Sequence, residues 1–136
     1  MATEALYVTT PLFYVNAEPH LGHTYATLLG DVLARFWRAR GRAILTLTGT
    51  DEHGDKIAQA AAAAGVDPKT HVDRASGLFR STWEEMDFRY DHFIRTTDQY
   101  HVVFVRRVLE RIHAQGDIYF GSYSGLYCFG CERFYQ

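Results

Sequence analysis

The sequence predicts an α/β fold in which short parallel strands alternate with amphipathic helices. Residues 6–9 and 43–48 are short apolar, β-branched runs, and each is followed by a polar loop. Between them, leucines and aromatic residues recur at spacings of three, four and seven, which is the pattern of a helix with one apolar face. A chain of 136 residues that is 47% hydrophobic is long enough to form one such core.

Composition and charge argue against a nucleic-acid-binding module, a membrane-spanning protein and a secreted protein. The formal net charge is −2, which is not the basic balance of a dedicated nucleic-acid-binding module. The chain has no run of about 18 uninterrupted apolar residues that could cross a membrane. Residues 1–4 also lack the basic and apolar regions of a signal peptide. We therefore expect a soluble, cytoplasmic protein that makes no membrane contact.

The elements follow in order from these patterns. The first strand ends before Pro11, and the first helix is expected from Leu21 to Arg40, with Gly41 as its C-terminal cap. The run Ala43–Thr48 then pairs as the next parallel strand. Asp67 is the predicted N-cap of a later helix. The remaining helices and strand are expected at residues 56–64, 68–86, 93–95 and 99–115.

A group of aromatic residues in the second half of this region allows two interpretations. They could form a stacking surface for bases, but they follow helical and strand spacing and no basic residues are interleaved. We therefore expect them to pack in the scaffold. These residues are Phe79, Trp83, Phe88, Tyr90 and Phe93.

The loop before the first helix has the composition of a phosphate site. His20 and His23 lie three residues apart at the helix start, where the helix N-terminus attracts anions. Gly22 between them lacks a side chain, so that a flat ring such as adenine could approach the backbone. This arrangement suits a nucleoside triphosphate, although His20 could instead be only a capping or partly buried histidine.

A second polar loop, residues 49–54, follows the second strand. In a parallel sheet it would lie at the same edge as the first loop, where ligands of open α/β sheets bind. Asp51 could hold an ammonium group by a charge-assisted hydrogen bond. The alternative is a solvated aspartate in an ordinary turn.

The alternation of strands and helices stops near Gly116, and the sequence becomes short, aromatic and glycine-rich from Ile118. We expect a hairpin with a metal knuckle here, and a change of domain near residue 116. Cys128 and Cys131 have the C-x-x-C spacing of half a tetrahedral zinc site. A dithiol, a redox pair or a chance occurrence remains the alternative.

Three segments carry a resemblance to a known family. YVTTPLFYVNAEPHLGH, residues 7–23, resembles the first signature of the class I methionyl-tRNA synthetases, and residues 20–23 form a variant of their HIGH motif. Residues 47–54 (LTGTDEHG) resemble the second conserved loop of that family. Residues 125–135 are similar to the beginning of its zinc knuckle.

The resemblance implies a fold and a division into domains. Residues 1–116 would form the first half of a Rossmann-type catalytic domain, a parallel sheet with flanking helices. Residues 117–136 would begin a truncated connective, zinc-knuckle domain. Cys128 and Cys131 would be two of four structural zinc ligands, with the other two absent from the chain.

The resemblance also implies an activity, namely ATP-dependent activation of methionine and its transfer to tRNA(Met), with Mg²⁺ accompanying ATP. His20 and His23 would be catalytic and would bind ATP together with Gly22. Leu12, Tyr14 and Asp51 would bind methionine. These roles are expectations from the family.

This sequence departs from the family by omission. The KMSKS signature is missing, so Gln136 is expected to be an artificial or partial-gene end and the chain alone to be inactive. It would need the missing half, or self-association, for stability. The alternatives are another HIGH-type synthetase or nucleotidyltransferase, a non-catalytic zinc-stabilised binding domain, and a hydrolytic metal site. The ligands of that metal site would be His20, His23, Asp51 and His53.

Overall fold

The computed structural model describes residues 5–135, so the expectations about residues 1–4 and about Gln136 lie outside the described part of the chain. The chain divides into two compact units, of which the first ends at Asp98 and the second begins at Gln99. None of the helices within residues 5–135 combines the length and the apolar character that a membrane span requires.

The first unit contains a three-stranded parallel sheet in the order β1-β2-β3. Helices connect the strands, which confirms the predicted α/β fold class with a parallel sheet and flanking helices. The elements are β1 (Leu6–Tyr14), α1 (Leu21–Ala39), β2 (Ile44–Asp51), α2 (Asp55–Ala63), α3 (Pro68–Glu85) and β3 (His92–Arg95).

The predicted helix ends agree with the structure to within about one residue, because local signals set them. Arg40 is the C-cap of α1, and Gly41 follows in the left-handed region at φ 76°. Asp67 caps α3 by accepting a hydrogen bond from the Thr70 N–H at 3.0 Å.

The predicted ends of the first two strands were wrong, since both strands continue further. β1 passes Pro11 and reaches Tyr14, because a shift in register between Thr9 and Leu12 leaves the proline outside the ladder. β2 continues past Thr48 to Asp51, which therefore lies at the strand end and not in a loop. Its threonines satisfy their buried hydroxyls within the protein, as in the 2.7 Å contact between the Thr48 and Thr10 hydroxyls.

An aromatic cluster between the sheet and α3 forms the core. Phe79 and Trp83 of α3 are fully buried and contact Phe13 of β1, with ring centroids 5.7 and 5.8 Å apart. Phe88 and Phe93 are also buried, and Tyr90 packs against the cluster. The interpretation of these rings as scaffold is confirmed, because their faces are occupied by one another.

The second unit contains α4 (Gln99–Ala114) and an antiparallel hairpin of β4 (Leu126–Cys128) and β5 (Arg133–Tyr135). The expected hairpin is therefore present. The compact units divide earlier in the chain than the domain boundary predicted near Gly116, which stays a prediction about domain organisation.

Gly49 is the glycine on which the sheet depends most. A Cβ atom at this position would lie 1.9 Å from the Ile94 carbonyl oxygen of β3, a backbone atom that cannot move aside. We expect Gly49→Ala to reduce the free energy of unfolding by about 4 kcal/mol or more.

Gly77 provides the matched control, since a Cβ atom there meets no heavy atom within 4 Å and the residue lies in α3. Gly77→Ala is expected to stabilise the protein by about 0.5–1 kcal/mol. Thermal or denaturant unfolding measures both. Equal stabilities for the two variants would contradict the packing described for β2 and β3.

Candidate active site

The ends of β1 and β2 meet in register at one edge of the sheet. Leu12 pairs with Gly49, and Tyr14 pairs with Asp51. Because side chains alternate along a strand, Leu12 and Tyr14 share one face of β1, and both are partly exposed, at 37% and 43%. The prediction that the two polar segments lie at the same edge is confirmed.

Two histidines form the start of α1. The His20 Nδ1 accepts a hydrogen bond from the Gly22 N–H at 3.1 Å, and the His23 Nδ1 accepts one from the His20 N–H at 3.3 Å. This is a reciprocal capping box, so His20 does act as a cap. Since each Nδ1 is an acceptor, each neutral ring carries its proton on Nε2. The cap thus provides two imidazole N–H donors.

The two rings stack, with centroids 3.7 Å apart and planes 23° from parallel. His23 also packs against Phe13 and Phe79, at centroid distances of 5.0 and 5.1 Å. Burial, and secondarily the charge of His20, lower the pKa of His23. His23 is therefore neutral near pH 7, in the form whose Nε2 donates and whose Nδ1 accepts.

Gly22 has a structural role at this cap. A Cβ atom there would lie 3.0 Å from the His20 Cε1 and 3.2 Å from its Nδ1, so a side chain would press on the capping ring. Its expected role in admitting adenine stays a prediction.

A buried ion pair at the end of β2 was not predicted from the sequence. The Glu52 side chain is fully buried, and it binds Arg95 of β3 through contacts of 2.7 and 2.9 Å. Arg95 also binds Asp73 of α3 at 2.6 Å. Glu52 stands in an acidic, polar segment that looks solvated, and nothing in the local sequence links it to an arginine 43 residues away.

The cysteine pair lies in the hairpin of the second unit. The Cys131 N–H donates to the Cys128 Sγ at 3.4 Å, and Glu132 adopts a left-handed backbone at φ 51°. A thiolate that accepts an N–H hydrogen bond within a tight turn can ligate a metal, so the donors fit half of a tetrahedral zinc site.

The described part of the chain offers no larger metal cluster. Within residues 5–135, no group of three or more histidine, cysteine, aspartate or glutamate residues is placed to hold a metal ion. The alternative hydrolytic site at His20, His23, Asp51 and His53 therefore gains no support from the geometry.

A sheet edge lined by polar residues and closed by a helix N-terminus is the ligand site of open α/β domains. The family model described as tRNA synthetases class I (M) matches residues 6–136. The chain belongs to this family.

A curated relative and a solved structure are similar to nearly the whole of this chain. The methionine–tRNA ligase, chloroplastic/mitochondrial, of Arabidopsis thaliana is 49% identical over 96% of this chain, which spans 21% of that protein. The structure of Mycobacterium tuberculosis methionyl-tRNA synthetase in complex with methionyl-adenylate has a TM-score of 0.92 and 45% identity over 97% of this chain, or 26% of its own.

A LeuRS–tRNA–LeuAMS ternary complex from Agrobacterium radiobacter K84 is also similar, with a TM-score of 0.81 and 25% identity over 88% of this chain and 16% of that one. The fold is thus shared with a synthetase described for another amino acid, at lower identity. In every case the chain spans about a quarter or less of the relative's length.

The stacked histidines give a prediction for titration. His23 should titrate below the ordinary histidine pKa, and His20→Asn, which keeps a capping side chain but removes the neighbouring charge, should raise the pKa of His23 partway. Full recovery is not expected because burial is the larger cause. NMR titration of the imidazole protons measures this. An unchanged or lower pKa would contradict the arrangement.

Proposed function

We propose that the protein carrying this chain is a methionine–tRNA ligase that activates methionine with ATP and transfers it to tRNA(Met). The observation that supports this most is the pairing of Tyr14 with Asp51 at the sheet edge, next to Phe13, whose ring packs against His23 of the histidine cap. Membership of the family supports it as well. So does the similarity to a methionyl-tRNA synthetase whose structure contains methionyl-adenylate.

In this proposal the strand ends bind the amino acid. The Asp51 carboxylate holds the methionine ammonium group, where a charge-assisted hydrogen bond is about twice as strong as a neutral one. Leu12 and Tyr14, which share the exposed face of β1, contribute to the side-chain pocket. A methylene contributes only about 1–3 kcal/mol to discrimination in such a pocket, so other parts of the protein must add contacts.

The histidine cap binds the nucleotide. His20 and His23 donate from Nε2 to phosphate oxygens, and Gly22 lies below the adenine. The methionine carboxylate attacks the α-phosphorus in line, its new P–O bond forms as the bond to pyrophosphate breaks, and the donors stabilise the developing charge. Mg²⁺ bound with ATP neutralises phosphate charge. Catalysis therefore needs positioning and electrostatics, and no enzyme nucleophile.

Cys128 and Cys131 are proposed to hold a structural zinc ion together with two ligands from outside the chain. The N–H to Sγ hydrogen bond and the hairpin support this, because they place two thiols at one turn. Binding of tRNA(Met) and the cytoplasmic location are also part of the proposal. One similar relative is described as chloroplastic/mitochondrial, which makes the location a point to test.

Methionine-dependent ATP–pyrophosphate exchange by the full-length protein tests the activity. We expect His20→Ala combined with His23→Ala to lower the exchange rate by about 100-fold or more, because two donors to the phosphates are lost. Asp51→Asn is expected to raise the KM for methionine about tenfold or more, since it removes the carboxylate charge that pairs with the ammonium group. The KM for ATP should change little in that variant.

Leucine and isoleucine are the comparison amino acids, and the chain of 136 residues alone is expected to be inactive. Exchange with leucine or isoleucine in place of methionine would contradict the proposed substrate and favour another class I synthetase. Binding of neither ATP nor any amino acid would favour a non-catalytic zinc-stabilised domain.

Metal analysis tests the zinc proposal. The purified full-length protein is expected to contain about one zinc ion at this site, and Cys128→Ser with Cys131→Ser should lose it. Zinc retained at full occupancy in the double variant would place the ligands elsewhere.

A further inference from the structure

The ion pair between Glu52 and Arg95 lies at the end of β2, next to the residue proposed to bind methionine. Glu52 follows Asp51 in the chain, and its side chain has no exposed surface, while that of Arg95 is 20% exposed. Burying two charges costs so much desolvation that such a pair contributes little or nothing net to stability. Stability alone is therefore a weak reason for this pair, and its position at the end of β2 indicates a second role.

Every acceptor position of the buried carboxylate is used. The Glu52 Oε1 accepts from the Arg95 Nε at 2.7 Å and from the Thr50 hydroxyl at 2.8 Å. The Oε2 accepts from the second Arg95 nitrogen at 2.9 Å and from the Thr97 hydroxyl. A fully satisfied network of this kind is rigid, because any displacement leaves a buried charge without a partner.

This network holds the backbone on both sides of Asp51. After it, the Glu52 N–H donates to the Thr96 hydroxyl at 2.9 Å. Before it, the Thr50 carbonyl accepts from the Thr96 N–H at 3.2 Å, and the Thr50 hydroxyl lies 3.0 Å from that of Ser76 in α3. Asp51 therefore lies between two residues, Thr50 and Glu52, that hydrogen bonds hold in place.

We propose that Glu52 and Arg95 are positioning residues that fix the Asp51 carboxylate, and with it the specificity of the site for the ammonium group of its amino-acid substrate. The proposal rests on the proposed function. The pair acts through the backbone of β2 and touches no substrate. Arg95 also binds Asp73 of α3. The end of β2, the end of β3 and the helix α3 are therefore linked by one network of ion pairs and hydrogen bonds.

The guanidinium of Arg95 is permanently charged. Hydrogen bonding to Glu52, and then to Asp73, raises the pKa of Arg95, so no change of pH in the working range removes its proton. The network therefore keeps its charges across the working pH range, and loss of the Arg95 proton cannot act as a pH switch.

The test compares Glu52→Gln and Arg95→Lys with a matched control in the full-length protein. Asp91→Asn is that control, because Asp91 accepts from Arg38 and from the Thr46 N–H, each at 2.7 Å, near the opposite end of β2. In methionine-dependent ATP–pyrophosphate exchange, Glu52→Gln and Arg95→Lys are expected to raise the KM for methionine about tenfold. The KM for ATP should stay within about twofold, as a selective loss of positioning requires. Asp91→Asn should lower the melting temperature and leave both KM values unchanged.

A double-mutant comparison separates positioning from general destabilisation. If Glu52 acts through Asp51, then Glu52→Gln in an Asp51→Asn background should add little further increase in the methionine KM. A full, additive increase would overturn the proposal, as would a lowered melting temperature with an unchanged methionine KM. Equal increases in the KM for ATP and methionine would overturn it too.

Thr97→Val gives a milder perturbation in case the charge variants do not fold. It removes one hydroxyl donor to Glu52 while preserving volume, and a rise of about threefold in the methionine KM is expected, comparable to the loss of one weak hydrogen bond. No change would count against the proposal. Wild-type protein that shows no methionine-dependent exchange would instead overturn the proposed function, so the two failures are distinguishable.

Discussion

The in-register parallel pairing of β1 with β2 is the constraint on which the site depends. It places Tyr14 opposite Asp51 and Leu12 opposite Gly49, so residues 37 positions apart in the chain meet at one sheet edge. Gly49 lets β3 pair with β2 at this edge, because the backbone of β3 occupies the space that a side chain would need. A slip of one residue in either strand would turn the proposed methionine ligands of that strand to the opposite face of the sheet.

At the start of α1, His20 and His23 both cap the helix and present imidazole N–H groups. A helix N-terminus needs acceptors for its first N–H groups, and the Nδ1 atoms of His20 and His23 supply them. Doing so directs the proton of each neutral ring to Nε2, where it is available to an anion. The capping role that was an alternative to nucleotide binding is therefore a prerequisite for it in the proposed function.

Hydrophobic periodicity and capping residues predicted most of the fold, because the residues that define a helix lie within or next to it in the sequence. Gly41 and Asp67 marked helix ends within one residue of those observed. The strand ends were misplaced, because Pro11 and the segment Gly49-Thr50-Asp51 look like loops unless their neighbours in the sheet are known. The Glu52–Arg95 pair was missed for the same reason: it joins residues 43 positions apart, and only the folded sheet brings them together.

The decisive measurement is a crystal structure of the full-length protein with a non-hydrolysable methionyl-adenylate analogue. We expect the ammonium group on the Asp51 carboxylate, the thioether side chain beside Leu12 and Tyr14, and the phosphate within hydrogen-bonding distance of a His20 or His23 Nε2. An analogue bound away from the ends of β1 and β2, or with its ammonium group held by another residue, would contradict the proposed site.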